Sequence, residues 1–145
     1  MEVKLKFGID KLLFGMKQGD VKNRYGEPDK QFKDDDKNIV LVYNQLQLRL
    51  TFYDDEDLRL GYIISSNPNL TINDKIVINQ TAEEVKKQLA VNKINSWEKE
   101  DFDLTENHFN EENWLILQSE FGRIIKVELG AIIKNEDDFD WKFNA

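Results

Sequence analysis

The chain has 145 residues, enough for one domain whose core needs no cross-links. It contains no cysteine and one histidine, which excludes disulfides, thiolate metal sites and cysteine nucleophiles. A formal net charge of −8 leaves no basic footprint for a nucleic acid.

The first eight residues, Met1 to Gly8, hold neither an apolar run nor a small-residue cleavage site. No stretch approaches the roughly 20 apolar residues of a membrane span. These features predict a cytoplasmic chain, or a periplasmic one if a signal peptide has been removed.

Next comes a segment that recurs. Asp10-Lys11-Leu12-Leu13-Phe14-Gly15-Met16-Lys17 aligns with Asp74-Lys75-Ile76-Val77-Ile78-Asn79-Gln80-Thr81 at an offset of 64. The match continues with Asp20-Val21-Lys22 over Glu84-Val85-Lys86, then Tyr25 over Leu89. Each copy predicts an amphipathic helix of about two to three turns, with Val21 and Tyr25, or Val85 and Leu89, on one face. Gly26 and Pro28 end the first helix. Thr81-Ala82-Glu83-Glu84 reads as a capping box for the second, whereas Lys17 gives the first no such cap and predicts fraying.

Period-two alternation follows each helix. Ile39–Tyr43 leads to Leu46, Leu48, Leu50 and Phe52; after the polar tip Asp54-Asp55-Glu56-Asp57, Leu58, Leu60, Tyr62 and Ile64 return. Asn67-Pro68-Asn69 is a turn between the copies. In the second copy Trp114–Leu117 climbs to a Phe121-Gly122-Arg123 turn, and Ile125, Val127 and Leu129 return, at an offset near 67. The predicted fold is therefore a single α+β domain of two tandem helix-plus-antiparallel-sheet repeats, about residues 9–66 and 73–133, with an acidic-aromatic tail over 134–145. The sheets are expected to form one layer, helices on one face and the other face open.

The stretch Gly15-Met16, then Val21, then Gly26-Glu27-Pro28 resembles the signature of the BamE/SmpA and β-lactamase-inhibitor-protein-like group. The likeness extends through Tyr43 and the Leu48–Phe52 strand, covering about residues 9–65, and reaches the second copy only through its helix. It implies helix-plus-sheet units and, for the inhibitor members, two units in tandem whose concave sheet grips an enzyme. The group shares no catalytic residues, so the resemblance implies none here.

Chemistry-bearing patterns are sparse. His108 stands in the polar run Thr105-Glu106-Asn107-His108-Phe109-Asn110 and is expected to be exposed or loosely hydrogen-bonded. Asp34-Asp35-Asp36 and Asp54-Asp55-Glu56-Asp57 lack the spacing, glycine and distal glutamate of a calcium loop and read as solvated turns. Neither a catalytic residue, a metal site nor a cofactor is predicted, and the chain is read as a non-enzyme.

Three features point to a binding surface. Residues 1–70 carry a net −1 and residues 71–145 a net −7, concentrated between Trp97 and Trp114 in Glu98, Glu100, Asp101, Asp103, Glu106, Glu111 and Glu112. By alternation Leu115 and Leu117 face the helices, so Trp114 and Ile116 face the open side unless the acidic stretch, read as a loop, covers Trp114. The tail Asp138–Phe143 sets Phe139, Trp141 and Phe143 at period two; it either joins such a surface or packs on the core as a final edge strand. Glu98, Glu100, Asp101, Asp103, Trp114, Ile116 and Trp141 are the candidate partner-binding residues, with carboxylates to steer a basic protein and aromatics to supply buried area. Together with the resemblance, these features predict a protein-binding inhibitor, foremost a bacterial immunity protein that neutralises a toxin, for instance a basic nuclease. The alternatives are an exported envelope or assembly protein like the BamE group, and an enzyme or ligand carrier with a deep polar pocket in the sheet.

Overall fold

A computed structural model describes residues 1–135 and 137–143 of the chain. The predicted tail at 134–145 is therefore described except at 136, 144 and 145. The fold is mixed α+β and mostly sheet, with two α-helices among the described residues.

The chain opens with β1 (Glu2–Lys4) and a tight hairpin of β2 (Gly8–Ile9) and β3 (Leu12–Leu13). Gly8 is obligatory there: a Cβ on it would lie 1.9 Å from the Leu12 carbonyl oxygen. Helix α1 (Gln18–Tyr25) follows, and Lys17 N–H at its start donates to Asp20 Oδ2 at 2.9 Å. Gly26, at φ 81°, closes it by donating its N–H to the Lys22 carbonyl at 2.8 Å. A four-stranded antiparallel meander comes next: β4 (Lys30–Lys33), β5 (Ile39–Tyr43), β6 (Leu48–Tyr53) and β7 (Arg59–Ser65).

The second half begins with the hairpin β8 (Thr71–Ile72) and β9 (Lys75–Ile76), then α2 (Ala82–Ala90). Thr81 Oγ1 accepts the Glu84 N–H at 3.2 Å. The two helix starts thus use opposite halves of one device. In α1 the acid at the third helical position, Asp20, reaches back to the cap backbone; in α2 the cap hydroxyl reaches forward. A second antiparallel meander follows: β10 (Glu98–Asp101), β11 (Thr105–Asn110), β12 (Leu115–Glu120) and β13 (Arg123–Gly130).

The meanders join edge to edge. Glu128 lies opposite Ile64 and Gly130 opposite Tyr62, making an eight-stranded sheet in the order β10-β11-β12-β13-β7-β6-β5-β4. The predicted single sheet layer needs correction. The short strands form a separate five-stranded sheet, β3-β2-β1-β8-β9, in which β1 and β8 run parallel. The N-terminal strand had no alternation long enough to reveal it, and its partner lies some 70 residues on.

One apolar core unites these parts. Leu41, Leu50, Phe52, Leu115, Leu117, Val127 and Leu129 project from one face of the large sheet. Val21 of α1, Val85 and Leu89 of α2, and Val3, Ile9, Leu12 and Ile72 of the small sheet pack against them. Period-two burial along β6 and β12 follows directly from the alternation in the sequence.

Two further expectations are overturned. The acidic stretch between Trp97 and Trp114 is two strands, β10 and β11, rather than a loop over Trp114. His108 is buried at 4% exposure instead of solvated: it lies opposite Leu117 on the core face, with Nε2 3.0 Å from Ser119 Oγ. A polar run concealed an edge ladder whose every second residue faces inward.

Candidate functional site

The open face of the large sheet carries the residues that alternate with the core. In register across β10, β11 and β12, Glu98 lies opposite Phe109 and Phe109 opposite Ile116; Glu100 lies opposite Asn107 and Asn107 opposite Gln118. Near the junction with β7, the chain turns tightly at Trp114, whose φ is 45°. This turn throws the indole across the neighbouring strand: a Cβ on Gly130 would lie 2.2 Å from Trp114 Cδ1. Tyr53 is seated the same way, since a Cβ on Gly61 would lie 2.1 Å from its Cε2. Two glycines on adjacent strands therefore let two aromatic rings rest on the sheet.

These residues enclose a hollow of about 610 Å³ lined by Tyr53, Tyr62, Glu98, Lys99, Glu100, Asn107, Phe109, Trp114 and Ile116. Phe109 and Trp114 meet edge to face, with centroids 5.1 Å apart and planes at 81°. Tyr62 donates to Glu128 Oε1 at 2.6 Å, which fixes the phenol in the floor. Burial, then this carboxylate, holds the Tyr62 hydroxyl far above the usual tyrosine range. Burial, helped by Asp55, pushes Tyr53 up to about 12. Both phenols are therefore neutral at any physiological pH and act as hydrogen-bonding aromatics.

The carboxylates around this hollow differ in company. Lys99 Nζ lies 2.7 Å from Glu106 and 3.9 Å from Asp101, so that cluster is internally paired. The pairing lowers the Glu106 carboxyl and raises the Lys99 amine. Among the described residues, Glu98 and Glu100 have no cation within 4.0 Å. Both are exposed along the outer strand.

Of the residues singled out from the sequence, Glu98, Glu100, Trp114 and Ile116 are brought together here. Asp101 faces Glu106 on the other side of β10, and Asp103 is exposed in the β10–β11 turn. Trp141 lies elsewhere. The tail folds back, with Lys142 and Phe143 N–H groups donating to the Phe14 carbonyl at 3.0 Å, and Trp141 packs partly buried against the core. It stacks on Phe139 at 4.9 Å, and Phe139 lies 5.7 Å from Tyr53, so the tail reaches the rim of the hollow through Phe139.

Sequence reasoning missed Tyr53, Tyr62, Phe109 and the seats Gly61 and Gly130. The signal was present in part: Tyr62 and Ile64 alternate with buried Ile63 and Ser65, although the period-two pattern had grouped them with buried Leu60. The glycines gave none, because their role depends on pairing between β7 and β13. A second hollow, of about 650 Å³, lies between β1 and α1. Its lining of Glu2, Lys4, Asp10, Lys11, Arg24 and Tyr25 mixes both charges and holds a single aromatic. No group of three or more histidine, aspartate or glutamate side chains could hold a metal among the described residues.

No protein-family model matches the chain, and no curated protein matches it significantly. Solved structures of similar fold exist. A DUF4309 family protein (YjgB) from Bacillus subtilis has a TM-score of 0.55 at 19% identity, over 86% of this chain and 84% of that one. An extracellular protein containing a SCP domain from Bacillus anthracis has a TM-score of 0.53 at 15% identity, over 80% of this chain. The match spans only 43% of that longer protein. At such identities the likeness concerns the fold alone, and neither neighbour is described as a BamE or β-lactamase-inhibitor protein. No helix is long and apolar enough to cross a membrane among the described residues.

Proposed function

We propose that this chain is a protein-binding inhibitor that grips a basic partner on the open face of its large sheet, acting as the immunity protein of a toxin. The observation that carries the reading is the hollow itself: aromatic rings seated on glycines, beside two carboxylates that lack a partner. Solvated acids alone would need no aromatic floor. Half-buried aromatics lining a hollow supply the buried area of an interface, and unpaired carboxylates at its edge supply steering and orientation.

The same reading takes the two halves as copies of one unit, supported by backbone geometry that recurs at fixed offsets. Gly15 N–H donates to the Leu60 carbonyl and Leu60 N–H to that of Met16. Sixty-four residues on, Asn79 N–H donates to Ile124 and Ile124 N–H to Gln80. Gly15 and Asn79 both hold positive φ, at 104° and 69°. A register shift falls at Thr51/Phe52 in β6 and at Gln118/Ser119 in β12, 67 residues apart. Gln47 and Trp114, separated by the same 67, hold φ of 52° and 45°. On this reading a shared scaffold has acquired its acid and its indole in the second copy.

The test is kinetic. The association rate of a purified candidate toxin with the chain should fall as salt rises, and should fall further in Glu98→Gln/Glu100→Gln. A rate indifferent to both would remove the electrostatic grip from the proposal. A second reading, an exported protein, is favoured by one observation: a protein of similar fold is extracellular. A partner found outside the cell, together with a secreted product of the full gene, would select it.

A further inference from the structure

The hollow on the open face has a shape and a charge that suit one kind of side chain. Trp114 is seated over Gly130 and Tyr53 over Gly61, and both rings line the hollow. Phe109 lines the hollow beside the indole, the two rings nearly perpendicular with centroids 5.1 Å apart. Glu98 lies directly across β10–β11 from Phe109, and Glu100, two pairs further along, lies across from Asn107. Lys99, the neighbouring cation, has its ammonium engaged 2.7 Å from Glu106 and therefore does not neutralise them.

We infer that this hollow is the receptor for an arginine side chain of the protein partner. This rests on the proposed grip and names its central contact. A guanidinium is flat and weakly hydrated, so it can lie on an aromatic face while its N–H fork reaches a carboxylate. A lysine ammonium is compact and strongly hydrated, and pairs as a point charge. Here aromatic rings and unpaired carboxylates border the same hollow, the combination a guanidinium exploits and an apolar side chain would leave unpaired. Tyr62, its hydroxyl committed to Glu128 at 2.6 Å, offers no competing donor.

The probes are two capped tripeptides, glycine-arginine-glycine and glycine-lysine-glycine, titrated into the full chain and followed by the backbone amide resonances of Glu98, Glu100 and Phe109. The expected result is a saturable shift with the arginine peptide, binding about tenfold tighter than the lysine peptide, the size of one cation–π contact. Trp114→Ala and, separately, Glu98→Gln/Glu100→Gln should each weaken it by about tenfold, with amide spectra otherwise dispersed as in the parent. Equal shifts with both peptides, no saturation, or indifference to either variant would overturn the assignment. Trp114→Arg, which would fill the hollow with its own guanidinium, separates the two levels. If it abolishes binding of the whole partner while the arginine peptide fails, only the arginine assignment falls. If it leaves the partner bound, the proposed face falls too.

Discussion

Replacing His108 tests how the second meander is held. The imidazole is 4% exposed, with Nε2 3.0 Å from Ser119 Oγ and Nδ1 buried without a partner. Burial is the main force lowering its pKa; Lys86 on α2 and Lys99 on β10 push the same way, while Glu106 and Asp101 oppose. The native state therefore keeps the ring neutral. As pH falls through the ordinary histidine value near 6.5, the unfolded chain takes up the proton first. Stability from this residue is complete above that value and is lost on the way down to the depressed native one. A single proton limits the slope to about 1.4 kcal/mol per pH unit. Because His108 is the sole histidine, the effect is separable. Urea unfolding of the parent and of His108→Leu, from about pH 8 to about pH 5, should show a midpoint that declines with acid more steeply in the parent. At the alkaline end, His108→Leu alone strands the Ser119 hydroxyl, at about 1–3 kcal/mol. Adding Ser119→Ala should recover that loss. Parallel midpoints for parent and variant across the whole range would refute the argument.

Other outcomes follow from the same geometry. Leu50→Ala removes a fully buried side chain from the centre of β6 and should cost about 2–5 kcal/mol in chemical unfolding. Gly130→Ala would place a methyl 2.2 Å from Trp114 Cδ1. The indole must leave its seat, at about 1–3 kcal/mol, and its N–H resonance should move. All four tyrosines, Tyr25, Tyr43, Tyr53 and Tyr62, have raised pKa values, chiefly through burial. Absorbance of tyrosinate should thus lag behind free tyrosine above about pH 10 and rise together with alkaline unfolding, because the unfolded chain ionises first.

The parts of this fold that were legible in the sequence are those where local chemistry decides the outcome. Thr81 and Glu84, Gly26, and the alternation through Leu48, Leu50 and Phe52 each specify their own conformation within a few residues. What escaped depends on distant partners. β10, with the sequence Glu98-Lys99-Glu100-Asp101, has poor intrinsic strand preference and is exposed throughout; only pairing with β11 makes it a strand. β1 is a strand because Thr71 and Ile72 lie beside it. At the candidate site, Trp114, Ile116, Glu98 and Glu100 were visible as an acidic and aromatic excess. Tyr53 and Tyr62 were not, because they come from the other half and reach the hollow only across the β7–β13 seam.

That seam also separates two explanations of the acid on β10. An outer strand needs charge simply to avoid pairing with other chains, and β4 at the opposite edge meets that need with Lys30 and Lys33. Edge protection is indifferent to sign, whereas a grip on a basic partner is not. Asp101 and Glu106 are tied to Lys99 on one face, while Glu98 and Glu100 stand over the aromatic hollow on the other. Glu98→Lys/Glu100→Lys should therefore leave the chain folded and of unchanged size by light scattering, since the edge stays charged. It should nevertheless lose the basic partner outright, because two attractive charges become repulsive ones beside the ring faces. Aggregation of this variant would assign the acids to edge protection; a folded chain that still binds would take them out of the interface.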